Sequence, residues 1–178
     1  MRIKSALCLL LVFCLLAVSS LPVWADDNEP FTPSTLEELL ANLPEDEEVF
    51  RAELSRLGIT CTSHEMPQQN SLLRASVIEG PTTTLSISRG IATCTGKVKG
   101  DSTTTTVVVY LYLKKFENSS FQTKYSDHQE FSGNLGNFSY DKSIASYGSG
   151  PYRVDGSYYL FTNSTYINPE KNSGVVYY

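Results

Sequence analysis

The sequence predicts a mainly β protein, an antiparallel β-sandwich of about seven strands preceded by a short helical segment. Three observations carry this. From Leu73 onward, apolar residues recur at every second position in short runs, the period of a half-buried strand. Clusters of Gly, Pro, Asn and Ser separate those runs at intervals of roughly 8 to 12 residues, the spacing of a sandwich. Between Ser34 and Gly58 the apolar period is helical instead.

The chain opens with Arg2 and Lys4, continues through thirteen apolar residues from Ala6 to Val18, and reaches Val23-Trp24-Ala25 before Asp26. This is the pattern of a signal peptide over residues 1–25, cleaved after Ala25. Thirteen helical residues reach only about 20 Å, short of the roughly 30 Å hydrocarbon core, so a membrane anchor is disfavoured. Bulky Phe13, before Cys14, argues against a lipidation signal. The expectation is a secreted, extracellular chain with no membrane contact after cleavage. Cleavage leaves 153 residues, enough for one domain with a sizeable core, and removes Trp24, Cys8 and Cys14. The remaining pair, Cys61 and Cys94, is expected to form one disulfide, worth about 3 to 4 kcal/mol in the chain-entropy account. A catalytic thiol is the sharper alternative.

Charge divides unevenly. Asp26 to Gly58 holds ten acidic residues against Arg51 and Arg56, a net of −8, whereas Ile59 onward has nine acidic and ten basic residues, a net of +1. No basic stripe exists for phosphates, so nucleic acid is excluded as a partner.

Residues 26–33 are acidic, contain Pro30 and Pro33, and read as a flexible lead-in. Residues 34–58 form the acidic helical segment. Ser34-Thr35-Leu36-Glu37 fits a capping box, with Leu36, Leu39, Leu40 and Leu43 on one face. Pro44 suits the first turn of a second helix, whose acidic run Glu45 to Glu48 complements the helix dipole. Phe50, Leu54 and Leu57 make its apolar stripe and Gly58 ends it. The segment is a helical hairpin or a kinked helix. It packs on the domain that follows, or it is a pro-segment or docking arm; a Cys61–Cys94 bond would favour packing.

The sandwich domain is expected over residues 59–178. Thr62 to Ser71, with His64, reads as loop. Leu73 to Ile78 is a strand ended by Gly80-Pro81, and Thr82 to Ser88 runs into Gly90 with a bend or bulge. Ala92, Cys94, Gly96 and Val98 then share one strand face. Thr103 to Leu113 is the most β-prone run; Val107, Val109, Leu111 and Leu113 oppose Val108, Tyr110 and Tyr112, so this strand should be central with both faces covered. Phe121 to Ser126 returns as a hairpin. Ser132 to Asn137 reads as loop, and Phe138, Tyr140 and Ile144 mark a short strand. Tyr152 to Phe161 and Gly174 to Tyr178 supply the last two. All eleven tyrosines lie from Tyr110 onward, suited to packing across strands with hydroxyls at the rim.

Three stretches, S-R-G-I-A-T-C-T-G-K-V-K-G, V-V-V-Y-L-Y-L-K-K-F-E-N-S-S-F and G-P-Y-R-V-D-G-S-Y-Y-L, cover about Leu85 to Phe161. Together they resemble uncharacterised small secreted β-sandwich proteins of Gram-positive, Firmicutes-type bacteria, similar in fold to fibronectin type III and immunoglobulin domains. Phe121 stands where such proteins often carry tryptophan. Tyr152-x-Val154 resembles the late fibronectin-type strand with a tyrosine near its start. The resemblance implies a fold and no particular activity.

The chemistry-bearing residues are few. His64 and His128 are the two histidines, neither in a zinc-binding spacing, so no metal site is expected. Asp127-His128 could orient an imidazole for a serine, but no nucleophile elbow selects one. Paired carboxylates for glycoside chemistry would come from Glu79, Asp101, Glu117, Asp127, Glu130, Asp141 and Asp155, nearly all in turns. A calcium site in clustered loops lacks a D-x-D-x-D-G string. No catalytic residue and no cofactor is therefore assigned. Tyr147, Tyr152, Tyr158, Tyr159 and Tyr166 could form a recognition platform, set against packing in the core. Asn118-Ser119-Ser120, Asn137-Phe138-Ser139 and Asn163-Ser164-Thr165 are glycosylation sequons, meaningful only in a eukaryotic source. The leading expectation is a noncatalytic binding or structural module whose partner is an unknown protein or cell-surface ligand. The alternative is a small extracellular hydrolase with an unassigned carboxylate-based site.

Overall fold

A strand that is apolar on both faces needs a layer on each side, and the architecture supplies both. The computed structural model describes residues 32–62, 77–163 and 165–178. The expected signal peptide, nearly all of the expected lead-in, His64 and the residues from Leu73 to Ser76 lie outside the described residues. In chain order the elements are α1 (Leu36–Ala41), α2 (Glu47–Arg56), β1 (Thr60–Cys61), β2 (Val77–Ser88), β3 (Ile91–Gly100), β4 (Thr106–Glu117), β5 (Ser120–Ser132), β6 (Leu135–Ser143), a 3-10 turn (Ala145–Tyr147), β7 (Pro151–Thr162), β8 (Thr165–Ile167), β9 (Glu170–Asn172) and β10 (Val176–Tyr177).

The strands form a mainly antiparallel sandwich. One sheet has seven strands in the order β1-β8-β7-β4-β5, with β9 and β10 also on β7; the other has three, β2-β3-β6. The pairing of β1 with β8 is parallel. The outer edge of β7 is shared in succession by three short strands, β10 at Pro151 and Tyr152, β9 at Asp155 to Ser157, and β8 at Leu160 to Thr162. Strands of two or three residues give no periodic signal, which is why about seven were expected and ten are found among the described residues.

Between the sheets, Ala92, Cys94 and Val98 of β3 meet Val107, Val109, Leu111 and Leu113 of β4 and Tyr152, Val154, Tyr158 and Leu160 of β7. Tyr158 needs special accommodation because its hydroxyl is carried into this core. The hydroxyl lies 2.7 Å from Thr83 Oγ1 and donates to the Thr82 carbonyl at 2.9 Å. Room for it comes from missing side chains: a Cβ on Gly96 or on Gly156 would each stand 2.7 Å from that oxygen.

The far face of the large sheet presents Val108, Tyr110, Tyr159, Phe161 and Tyr166, and the helices cover it with Leu39, Phe50 and Leu54. Phe50 is fully buried, edge-on to Tyr159 at 5.1 Å and tilted against Tyr110 at 5.7 Å. The layers run helices, seven-stranded sheet, three-stranded sheet, and Pro33–Tyr178 is one unit.

Local chemistry sets the helix ends. The N-cap of α1 is Thr35, one residue later than the capping-box expectation; it accepts from Glu38 N at 3.2 Å, and Glu38 in return accepts from Ser34 N at 2.7 Å. Asp46, not the Pro44 region, caps α2, accepting from Glu48 N at 2.8 Å. Pro44 stays in the connection, where its carbonyl accepts from Tyr110 OH at 2.9 Å. At the other end Gly58, at φ +73°, closes a paired-bond cap in which Ile59 N bonds Leu54 O and Gly58 N bonds Ser55 O.

The strands depart from the sequence reading at three places. β2 runs through Gly80-Pro81 with irregular register instead of stopping there; it is an edge strand, so the missing proline N–H costs no ladder bond. The expected bend at Gly90 is a two-residue hairpin turn in which Arg89 and Gly90 both have positive φ, at 51° and 77°. The expected loop Ser132 to Asn137 shrinks to a turn at Gly133-Asn134, because Gly136 already packs in β6 against Val107.

Candidate functional site

The first turn of α2 is aimed at the sheet. With Asp46 fixed as cap, Glu47 projects onto the centres of β4 and β7, and its side chain is only 12% exposed. Its Oε1 accepts from Ser157 Oγ at 2.6 Å, Tyr159 OH at 2.5 Å and Arg51 Nη2 at 2.7 Å; its Oε2 accepts from Tyr112 OH at 2.5 Å. Arg51 also donates to Tyr159 OH at 2.6 Å and reaches Glu170 at 3.1 Å. Burial would raise the Glu47 pKa, but hydrogen bonds from Ser157, Tyr112, Tyr159 and Arg51 outweigh it and hold the carboxyl below its ordinary value. Burial and the adjacent Glu47 push Tyr112 and Tyr159 upward.

Beside this hub a cleft of about 520 Å³ is lined by Asp46, Glu47, Glu48, Arg51, Tyr112, Lys114 and Thr123. Its most buried charged groups are committed. Lys114 pairs with Asp155 at 2.7 Å, and both Glu47 oxygens are engaged. A general base needs a lone pair facing substrate. What Glu47 does in this geometry is fasten the helical layer to the sheet.

A smaller cavity of about 180 Å³, lined by Glu45, Tyr125, Ser126, Asp127 and His128, lies where the start of α2 overhangs β5. Here the suggested Asp127–His128 partnership is corrected. The two are neighbours on β5, where successive side chains take opposite faces. His128 opposes Tyr110 and stacks on its ring at 5.0 Å on the helical side; Asp127 opposes Leu111 and accepts from the His128 backbone N–H at 2.9 Å. The imidazole makes no hydrogen bond among the described residues.

The remaining candidate carboxylates are dispersed. Glu79 lies near Lys97 and Lys99, Glu117 pairs with Lys115 and Lys124, Asp141 accepts from Thr93, and Asp155 pairs with Lys114 and Arg153. Asp101 accepts from Thr103 within its own turn. Among the described residues no three His, Cys, Asp or Glu side chains converge as a metal site requires. No helix of those residues is long and apolar enough to cross a membrane.

Of the two readings of the tyrosine cluster, packing in the core holds. Tyr152, Tyr158, Tyr159 and Tyr166 are buried, and Tyr147 is half-buried. Exposed apolar side chains lie in several places, Val49, Ile78 and Leu135 among them, and one group lies at the end of the sandwich that carries the β2–β3, β4–β5 and β6–β7 connections. Ile91, Phe116 and Tyr178 are each about two-fifths or more exposed there, and Tyr177 is 79% exposed. Phe116 meets Phe121 at 5.3 Å, and Arg153 lies over Phe121 at 4.2 Å. Tyr178 exchanges backbone bonds with Gly150, which docks the last residue at this end. Sequence reasoning treated Val175 to Tyr178 only as a strand; the exposed pair Tyr177-Tyr178 was its available signal.

The expected Cys61–Cys94 disulfide is also corrected: both cysteines are free. Cys94 lies in the core between the sheets, where burial pushes its thiol up to about 11. Cys61 is exposed on β1 beside Tyr166, which belongs to the helix-covered face. The large sheet stands between them. Helix packing and the Glu47 hub, not a covalent bond, hold the helical segment in place.

No family model matches the chain, and no curated protein matches it. Among solved structures it is similar to wild-type OgpA from Akkermansia muciniphila at 12% identity. In one crystal form the TM-score is 0.37, covering 65% of this chain and 30% of OgpA. In another it is 0.34, covering 64% and 32%. The chain thus spans about a third of the length of that structure.

Proposed function

We propose that the chain is a secreted, noncatalytic binding or structural module that contacts a protein or cell-surface partner. The observation that supports this is the apolar end formed by Ile91, Phe116, Tyr177 and Tyr178, where large side chains stay in water next to Arg153 and Phe121. Large apolar side chains left in water at one end of a domain mark candidate contact sites. The test is binding of labelled protein to intact producer cells and to their extracellular matrix. Saturable binding that the double variant Phe116→Ser/Tyr177→Ser loses, with its melting unchanged, supports the reading. No saturable binding, or binding indifferent to that variant, refutes it.

A second reading is the extracellular hydrolase. The cavity that joins Glu45, Ser126, Asp127 and His128 favours it. Turnover of an ester, peptide or glycoside panel that His128→Ala abolishes would replace the binding reading with this one.

A further inference from the structure

β5 forms one edge of the seven-stranded sheet and has β4 as its ladder partner there. Its two halves differ. Register shifts between Leu113 and Lys114, so Lys124 is the extra residue of a β-bulge. A bulge and a lysine are both devices that keep other strands away from an edge. Beyond them Tyr125–Ser132 pairs with Thr106–Leu113 without interruption. Eight residues, about 26 Å, therefore present alternate N–H and C=O groups outward, the His128 N–H being held by the Asp127 carboxylate at 2.9 Å.

Three carboxylates lie beside this stretch. Glu130 opposes Val108 and projects toward the helical side, where Glu45 overhangs; Asp127 projects toward the other side. Glu45, Asp127 and Glu130 make no ion pair among the described residues. Of the nearby cations, Lys124 pairs with Glu117, Lys114 with Asp155, and Arg51 with Glu47 and Glu170, while Lys142 keeps its charge over the Tyr125 ring at 3.8 Å. Carboxylates thus flank the edge on both faces of any strand laid against it.

We infer that Tyr125–Ser132 of β5 takes up an extended, lysine- or arginine-bearing segment of a partner protein as an added strand, its cations answering Glu45, Asp127 and Glu130. This rests on the binding-module reading and names the partner chemistry for it. Main-chain hydrogen bonds give such a contact its affinity, and side chains alternating on the two faces give it selectivity.

The probe is a fluorescein-labelled octapeptide of alternating Lys and Thr, titrated by anisotropy at low salt against the full chain. Controls are the Glu-Thr octapeptide and two N-methylated forms of the basic one, methylated at either the Lys or the Thr amides. Strand addition predicts saturable binding, at least about tenfold weaker for Glu45→Lys/Glu130→Lys. It also predicts loss of binding for one methylated form and retention for the other, because alternate amides face the edge. Amide exchange over Tyr125–Ser132 should slow on binding. The inference is overturned by no binding at about 1 mM peptide, by equal binding of both methylated forms, or by protection elsewhere. If the probe fails while cells still bind the protein through Phe116 and Tyr177, this inference falls and the module reading stands; if both fail, both fall.

Discussion

Glu47 offers the sharpest test of how the helical layer is held. Hydrogen bonds to a charged group are worth about 1.5–3 kcal/mol each, and Glu47 receives them from Ser157, Tyr112, Tyr159 and Arg51. Keeping a carboxylate from water costs several kcal/mol, which offsets much of that sum. Glu47→Ala leaves three hydroxyls and a guanidinium around a void, and breaking a buried charged contact of this kind costs about 3–5 kcal/mol. Glu47→Gln keeps an acceptor and the volume and loses the charge, about 1–2 kcal/mol. Urea unfolding followed by near-ultraviolet dichroism of the tyrosines measures both. The acid limb adds a sign. Because the folded carboxyl sits below its ordinary value, the unfolded chain takes the proton first as pH falls, near about 4.3. The stabilisation is full above that pH and is lost as pH falls through the folded value, so the gap between wild type and Glu47→Gln should narrow there. An alanine cost below about 1 kcal/mol, or a glutamine cost equal to it, would refute the hub.

Two further outcomes follow from the core. Gly96→Ala places a Cβ 2.7 Å from both Leu111 Cδ2 and the Tyr158 hydroxyl; it should lower stability by about 1–3 kcal/mol, read as a shifted urea midpoint, and an unchanged midpoint would show the notch to be slack. In native protein prepared without residues 1–25, one thiol, Cys61, should react with a thiol reagent and Cys94 only on unfolding, with an intact mass that reductant leaves unchanged. Two fast thiols, or none, would contradict that placement.

What the sequence made legible were features whose cause is local or periodic. The doubly apolar run Val107 to Leu113 announced a central strand with both faces covered, and Phe50 and Leu54 announced the stripe that covers one of them. Gly58 marked its helix end because a left-handed cap is a local demand. What stayed hidden depends on distant partners. Nothing separates Glu47 from Glu45 or Glu48 in sequence; only the arrival of Ser157 and Tyr159, 110 and 112 residues later, selects it. The tyrosines of β7 were unreadable as core or surface for the same reason, since Tyr159 is buried by helices that lie far upstream. The disulfide expectation followed from counting cysteines, and counting carries no information about which side of a sheet each one occupies.

The shared outer edge of β7 bears on how the chain is made. β7 is the last long strand, and the three strands that close its edge all lie within the sixteen residues after Thr162. A chain emerging from its amino end can form the β4–β5 hairpin and the three-stranded sheet before β7 appears. From then on, closure requires only short loops, whose entropic cost is small. Open strand edge invites pairing between chains. The order of elements therefore keeps that exposure on β7 brief, because the strands that seal its edge follow it within sixteen residues.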